Sequence, residues 1–596
     1  MAEYNVIKSR AGSVLGAHTI LKIDHWNPTG QLKTILAGAP NFRQIPETNI
    51  YASAQPTLSA LKSIIGMLHE SLQPDERVVW INVREEPVIY IDDEPYVLRD
   101  RYATLRNIRS YSGINAERLE MMEQRLKEDT LSESTMYNNR LLIHCEVSSK
   151  VICPTWVSIE KDSDILTLNE IFTDLKTTFP SLVYRRLPIT AEEAFEPEHI
   201  DEIMNLIMMN ASKKSHIIIN CQMGASRSTF GAVVANLISI WRHSVRAKLL
   251  SQPVCRPGER MLHYRIIHSI LRVIKNGLAA KEVVDRVIYN AAALVNLRDC
   301  IERYRRDAES ASDPNEARRA LRKGIVALKR YALLILFQGY LDSVSPDENC
   351  SDLHSFSAWF ARHQEFKTLF SELDRKGIGV EVLNEEHDVS PVGMAVRSAD
   401  ILDVVRHRRG QVLAAMTILK FDHFPGCQKM SLPERVEGAP NFRKVILDET
   451  VSVHGLAMPT KQGFINALKR IGKAVFWCCL REEPVIYVKG LPYVLRITKD
   501  PVTNLEMTGI VSERVEQVEA RLKADILAEL DRFEGRLLLH EEDAGTGKIV
   551  PVWEVVTGDQ VETTMEIIES LRRNGHPIVY ARVPMYPCPK IDLCLY

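Results

Sequence analysis

At 596 residues, 45% hydrophobic and 26% charged, the chain has a globular composition and enough length for several domains. Its 75 basic residues against 77 acidic ones leave no net field to draw the whole protein onto nucleic acid or a membrane surface. The start, MAEYNVIKSR, lacks a signal peptide's apolar core, and runs such as Tyr331 to Phe337 fall short of the about 20 apolar residues that span a bilayer, so a soluble, cytoplasmic protein with no transmembrane segment is expected.

In chain order, short strands are predicted at Trp80 to Val83 and Val88 to Ile91, then an amphipathic helix from about Ala116. A strand at Leu141 to His144, a helix ending near Thr178 and a strand at Leu182 to Arg185 follow. Next come a helix from His199 to about Met209, the strand Ile217 to Asn220, and a helix from Ser228 with Phe230, Val233, Val234, Leu237 and Trp241 on one face. Strands alternating with helices predict an α/β layered sheet. From about Met261 to Leu373 the apolar residues recur at three- and four-residue steps, the pattern of packed helices, with polar breaks at RRDAESASDPNEARR and SVSPDENCSD. Arg375 to Gly393 has the Gly, Pro and acid content of a connection.

The chain also repeats itself. GAPNFRQI from Gly38 recurs as GAPNFRKV from Gly438, and WINVREEPVIYIDDEPYVLR from Trp80 as WCCLREEPVIYVKGLPYVLR from Trp477. LKIDH with LKFDH, ERLEMMEQRLKED with ERVEQVEARLKAD, RLLIHCE with RLLLHEE, ICPTW with IVPVW and LVYRRLP with IVYARVP keep the same order. A period of about 400 residues is too long for a solenoid unit and reads as duplication of a whole domain. The expected organisation is a first domain at 1–258, a helical spacer at 259–374, a linker at 375–408 and a second domain at 409–596.

The stretch IIINCQMGASRST places Cys221 at the end of a buried strand, with Arg227 and Ser228 at a helix N-terminus, where α/β sheets bind ligands. A turn entering a helix presents backbone amides and the positive end of the helix dipole, an oxyanion site in which a thiol is biased toward thiolate. Cys221 is thus a candidate nucleophile. Arg227 is a candidate fork for phosphoryl oxygens, Gly224 lets the loop tighten, and the Ser228 hydroxyl is placed to assist a departing thiolate. The remaining loop positions, Gln222, Met223, Ala225 and Ser226, would bind phosphate through their backbone. The bland alternative is a cysteine that is simply a small core hydrophobe. The 11 cysteines are scattered, and the tight groupings Cys478-Cys479 and Cys588/Cys594 lack zinc-site or disulfide spacing, as in a reducing compartment.

CQMGASRS matches the Cys-x5-Arg-Ser/Thr signature of cysteine-dependent phosphatases, and its Gly-x-Ser-Arg-Ser part is similar to the dual-specificity branch. Together with YASAQPT and NVREEPVIYIDDEPYVLR it resembles the paladin and protein-tyrosine-phosphatase-like inositol polyphosphate phosphatase family, the cysteine phytases. The resemblance covers the first copy, the helical spacer and most of the second copy. It implies tandem protein-tyrosine-phosphatase-like α/β domains, each a central sheet flanked by helices, joined by the helical spacer. It also implies a phosphocysteine intermediate, no metal or cofactor requirement, and substrates among phosphorylated inositols, lipid headgroups or phosphotyrosine proteins.

The chain departs from that pattern in three respects. Asn220 stands where the general signature has His. The loop's variable positions carry no cation, leaving Arg84, Arg99, Arg185 and Arg186 as sources that read equally as surface charges or structural ion pairs. The family's acid, an aspartate directly after Pro-Ile-Thr, is replaced by Ala191, so Glu192 or Glu193 is the candidate proton donor, with Glu196 and Asp201 farther off and each also readable as a surface acid or helix cap. By the repeat spacing a second loop would fall about 20 residues beyond Tyr596, so the second copy is incomplete before its phosphate loop, either cut short or a non-catalytic partner domain; without its central strand it would expose sheet edges and apolar surface unless the first copy covers them, and the shared Arg84, Glu85 and Glu86 block reads as structural. Two functions follow: a cysteine phosphomonoesterase working through Cys221, Arg227, Ser228 and Glu192, or a pseudophosphatase that binds phosphorylated ligands as a scaffold.

Overall fold

The computed structural model describes residues 3–24, 36–108, 112–148, 151–251 except 211 and 213, 264–345, 355–377, 399–446, and 452–585 except 506. Cys588 and Cys594, and most of the predicted linker, lie outside these residues. The chain divides into two compact units, one of residues 1–257 with 280–359 and the other of residues 258–279 with 360–596. The segment predicted as one spacer, 259–374, is divided between them, 280–359 with the first unit and 259–279 with 360–374 with the second.

The first unit holds two sheets. Its central sheet orders the strands Leu182–Ile189, Val78–Arg84, His216–Asn220, Ile50–Ser53 and Arg43–Gln44. The first four run parallel and the last is antiparallel. Every residue of Val78–Arg84 and of His216–Asn220 is buried, as expected of β-branched strands covered on both faces. Parallel strands bring their C-terminal ends to one edge, so Ser53, Arg84, Ile189 and Cys221 emerge side by side. The helix Arg227–Arg242 packs back on this sheet and buries Phe230, Val233, Val234 and Leu237. A second, six-stranded sheet runs Val151–Ser158, Arg140–Ser148, Thr19–Ile23, Glu94–Asp100, Val88–Ile91, Ile165–Thr167.

The helices that the 280–359 segment brings to the first unit include Leu297–Ser310 and Pro314–Leu341. The latter is long and apolar enough, by length and composition, to cross a membrane, yet 83% of its apolar window is buried inside the protein, as in a core helix. Counting consecutive apolar residues missed it, because Lys329 and Arg330 interrupt the run while the helix as a whole stays apolar.

The second unit repeats the six-stranded sheet, in the order Ile549–Val555, Arg536–Glu542, Thr417–Phe421, Leu491–Ile497, Val485–Val488, Val561–Thr563. A helix at Ala399–Arg406 precedes it, matching Glu3–Ser9 of the first copy, so the repeat starts about ten residues before the boundary read from sequence. Of the central sheet, the pair Val475–Cys479 with Ile578–Arg582 and the separate hairpin Arg443–Ile446 with Ser452–Gly455 are present. Among the described residues no strand joins them, and Phe476, Leu480 and Ile446 are exposed.

Candidate active site

The loop after His216–Asn220 is held from outside at each step. The Cys221 amide donates to the Ser53 carbonyl at 3.2 Å, and the Gln55 amide donates to the Gln222 carbonyl at 3.2 Å. Asn41 Nδ2 donates to the Met223 carbonyl at 2.8 Å, and Arg43 Nη1 to the Gly224 carbonyl at 2.7 Å. The Thr229 hydroxyl donates to the Ala225 carbonyl. In a trans peptide the N–H lies opposite the carbonyl, so anchoring the carbonyls outward turns the attached amides away from these anchors, the arrangement of an anion nest. Gly224 is required twice over. Its φ is +67°, and a Cβ there would lie 2.4 Å from the Ala54 nitrogen.

Cys221 is 3% exposed, and its Sγ lies 3.5 Å from Ser228 Oγ. Arg227 is also buried. It donates through Nη1 to the Ile189 carbonyl at 2.8 Å and through Nη2 to Glu86 at 3.1 and 3.3 Å. Burial pushes the Glu86 carboxyl up, but Arg227 and then Arg84 outweigh it and hold the group below the usual carboxylate value. Arg84 makes a two-pronged pair with Asp24 at 2.6 and 2.8 Å, and Asn107 Nδ2 donates to both Glu86 at 2.7 Å and Gln222 at 3.0 Å. Glu86 thus aims the arginine, a role the sequence reading did not give it when it took the block as purely structural.

Asn220, in place of the signature's histidine, is fully buried. It accepts from Trp80 Nε1 at 2.7 Å and donates to Gln55 Oε1 at 3.2 Å. The residue before the nucleophile is therefore fixed by a side-chain amide instead of an imidazole, and Gln55 of YASAQPT links it to the loop.

The candidate acids separate. Asp201 accepts from the amides of Phe356 and Ser357 at 2.7 and 3.0 Å, so it is occupied as a helix cap. Glu192 and Glu193 are exposed, on the loop after Leu182–Ile189. The base of that loop is tied down by Thr190, whose hydroxyl donates to Glu85 Oε1 at 2.6 Å, and Glu85 also accepts from the Gly113 amide at 2.8 Å. Of the candidate cations, Arg84 is engaged with Asp24 and Glu86 and Arg186 with Glu123 at 3.1 Å. Arg99 is buried and donates to its neighbour's carbonyl, while Arg185 is exposed. The cations that do meet the loop are two that sequence reasoning missed, Arg43 and Arg330. Arg43 sits in the repeated GAPNFR block, a signal that was visible without its meaning. Arg330 sits in the helical segment and gave none.

Comparison with known proteins gives a consistent picture. The model of the protein-tyrosine-phosphatase-like phytase family, described by the words "Inositol hexakisphosphate", matches residues 81–239 and 478–592, one stretch in each copy. Paladin from Homo sapiens is 25% identical over 582 residues, covering 92% of this chain and 60% of its own length. Paladin from Gallus gallus is 25% identical over 362 residues, covering 59% of this chain and 40% of its own. The chain thus spans 60% or less of the length of these relatives. Among solved structures, the tandemly repeated protein tyrosine phosphatase like phytase from Mitsuokella multacida is 15% identical, with a TM-score of 0.36 over 97% of this chain and 81% of that one. A PTP-like phytase from Bdellovibrio bacteriovorus is 14% identical, with a TM-score of 0.34 over 58% of this chain and 95% of that one.

Proposed function

From a chain that belongs to the paladin and protein-tyrosine-phosphatase-like phytase family, with the tandem α/β fold of that family, we propose that the first copy is a phosphomonoesterase acting on phosphorylated inositol, free or as a lipid headgroup. The Cys221 thiolate attacks phosphorus and the ester bond to the leaving oxygen breaks, with Glu192 delivering the proton that oxygen needs. The loop amides and the Arg227 fork hold the equatorial phosphoryl oxygens as charge builds on them. Water then attacks the phosphocysteine and gives its proton to the Glu192 carboxylate. The S–P bond breaks, and the Ser228 hydroxyl donates to the departing thiolate.

The observation that carries this reading is the set of outward-anchored carbonyls around Cys221, with Arg227 fixed between Glu86 and Ile189. Pairing the arginine in advance lowers the reorganisation needed when a phosphate arrives. The inositol hexakisphosphate description of the matching family supports the substrate class. Purified full-length chain should turn over inositol hexakisphosphate or a phosphoinositide, and Cys221→Ser should be slower by roughly a thousandfold or more. Equal rates for the two proteins overturn the enzyme reading. Ala191 after Pro188-Ile189-Thr190 favours a second reading, a phospholigand-binding scaffold, for which the same assay would return tight binding with no turnover.

A further inference from the structure

Arg330 lies on the helix Pro314–Leu341, in the segment that neither copy of the repeat contains. It is 5% exposed. Nη1 donates to Ser226 Oγ of the phosphate loop at 2.7 Å. Nη2 donates to the Glu193 carbonyl at 2.6 Å and to the Ala191 carbonyl at 3.2 Å. Among the described residues no carboxylate pairs with it, and its Nε has no partner. A buried cation held only by neutral oxygens is costly to the folded protein, since such charges are normally paired. Burial, and then the nearby Arg227, push this guanidinium down to about 10, while Tyr304 and Cys221 pull the other way.

The contacts explain two local oddities. Ser226 occupies the N-cap position of the helix Arg227–Arg242 yet makes no side-chain capping bond. Its hydroxyl is instead the acceptor for Arg330. Glu192 is exposed on its loop, but the carbonyls on either side of it are gripped by one guanidinium. One planar fork therefore spans the two loops that the chemistry needs together, a geometry that an ammonium reproduces poorly.

We propose that Arg330 is a positioning residue of the first-copy site. It clamps the phosphate loop, through Ser226, to the proton-donor loop, through Ala191 and Glu193, so that the two approach a bound phosphoryl group as one body. This rests on the phosphatase reading above. Its otherwise uncompensated charge adds to the field that receives the incoming dianion, supplying a cation beside Arg227 that the loop's variable positions lack.

The test uses the full chain carrying Arg330→Met, which keeps the length and apolar stem, and Arg330→Lys. Arg330→Gln stands in for the first variant if it does not fold. Hydrogen exchange is read on peptides covering 189–196 and 222–228, with 58–70 as the internal reference. In Arg330→Met both loops should exchange faster while the reference is unchanged, and Arg330→Lys should fall between. That readout needs no turnover, so it stands even if the enzyme reading fails. With turnover, kcat should fall by roughly tenfold to a hundredfold on inositol hexakisphosphate, a poor leaving group, and by less on p-nitrophenyl phosphate, which needs no proton donor. Unchanged exchange in the two loops overturns the clamp. So does an equal fall on both substrates with no rescue by lysine, the pattern of a merely structural residue.

Discussion

The two copies share their ion pairs and differ in what those pairs serve. Arg10 with Glu133 in the first copy corresponds to Arg408 with Glu529 in the second, Arg84 with Asp24 to Arg481 with Asp422, and Arg186 with Glu123 to Arg582 with Glu519. These buried or half-buried pairs tie helices and strands together in the same way in either copy. Glu86 and Glu483 occupy matching positions and part ways. Both keep the arginine two residues before, Arg84 at 3.2 Å and Arg481 at 2.7 Å, but Glu86 also takes Arg227 of the phosphate loop, whereas Glu483 takes Arg496 at 2.9 Å and the Leu505 amide at 3.0 Å. Arg43 is buried beneath the loop, while its counterpart Arg443 is exposed. A framework shared by both copies is thus recruited in the first to hold the site.

Paired substitutions can break that comparison. Glu86→Gln removes the charge that orients Arg227, and kcat/KM should fall roughly a hundredfold, as expected when a phosphate-holding fork loses its alignment. Glu483→Gln should leave turnover within about twofold while lowering the urea midpoint, because it strips a buried partner from Arg496 and Arg481. Steady-state assays and urea melts of both variants check this, and equal losses of activity would abolish the distinction between the copies. A smaller effect is expected at the proton donor. Glu192→Gln should slow inositol hexakisphosphate turnover about tenfold, at the low end for general-acid loss because Glu193 lies next to it, with little change on p-nitrophenyl phosphate. A uniform loss on both substrates would take the role away from Glu192.

How far the sequence carried the reading depends on the range of the contact. The strand, turn and helix around Cys221 were legible because a run of β-branched residues, a glycine and an apolar helix face are local signals. Cys-x5-Arg spacing alone is not such a signal. Cys300 and Arg306 repeat it inside the helix Leu297–Ser310, where no anion loop can form. The duplication followed from the repeats, whereas the strand order and the division of the first copy into two sheets are set by long-range pairing that no local signal shows. Arg330 was illegible, since it meets Ser226 across 104 residues of chain and belongs to a helix whose periodicity reports only packing. Glu86 was half legible, because its repetition in both copies argued for structure and concealed its second partner. The start of the second copy was placed late because the helix Ala399–Arg406 shares no quoted motif with Glu3–Ser9.

The mildest test of the comparison concerns two buried histidines at matching strand positions, His144 paired in register with Lys22 and His540 with Lys420. Burial, and then Arg10, push His144 down to about 4. Burial, and then Arg408, push His540 down to about 3. Both lie below the ordinary histidine value of about 6.5, so the unfolded chain takes up these protons before the folded one does. Stability is therefore complete above about pH 6.5 and is lost progressively as pH falls from there toward 4 and 3. Urea midpoints measured between pH 7.5 and 5 should fall on acidification, and replacing either histidine by Gln should flatten the slope. Over that window both imidazoles stay neutral in the folded chain, so the two variants should flatten the slope about equally, and His540→Gln should differ from His144→Gln only below about pH 4. Equal slopes for wild type and both variants would mean that the paired histidines carry no acid sensitivity.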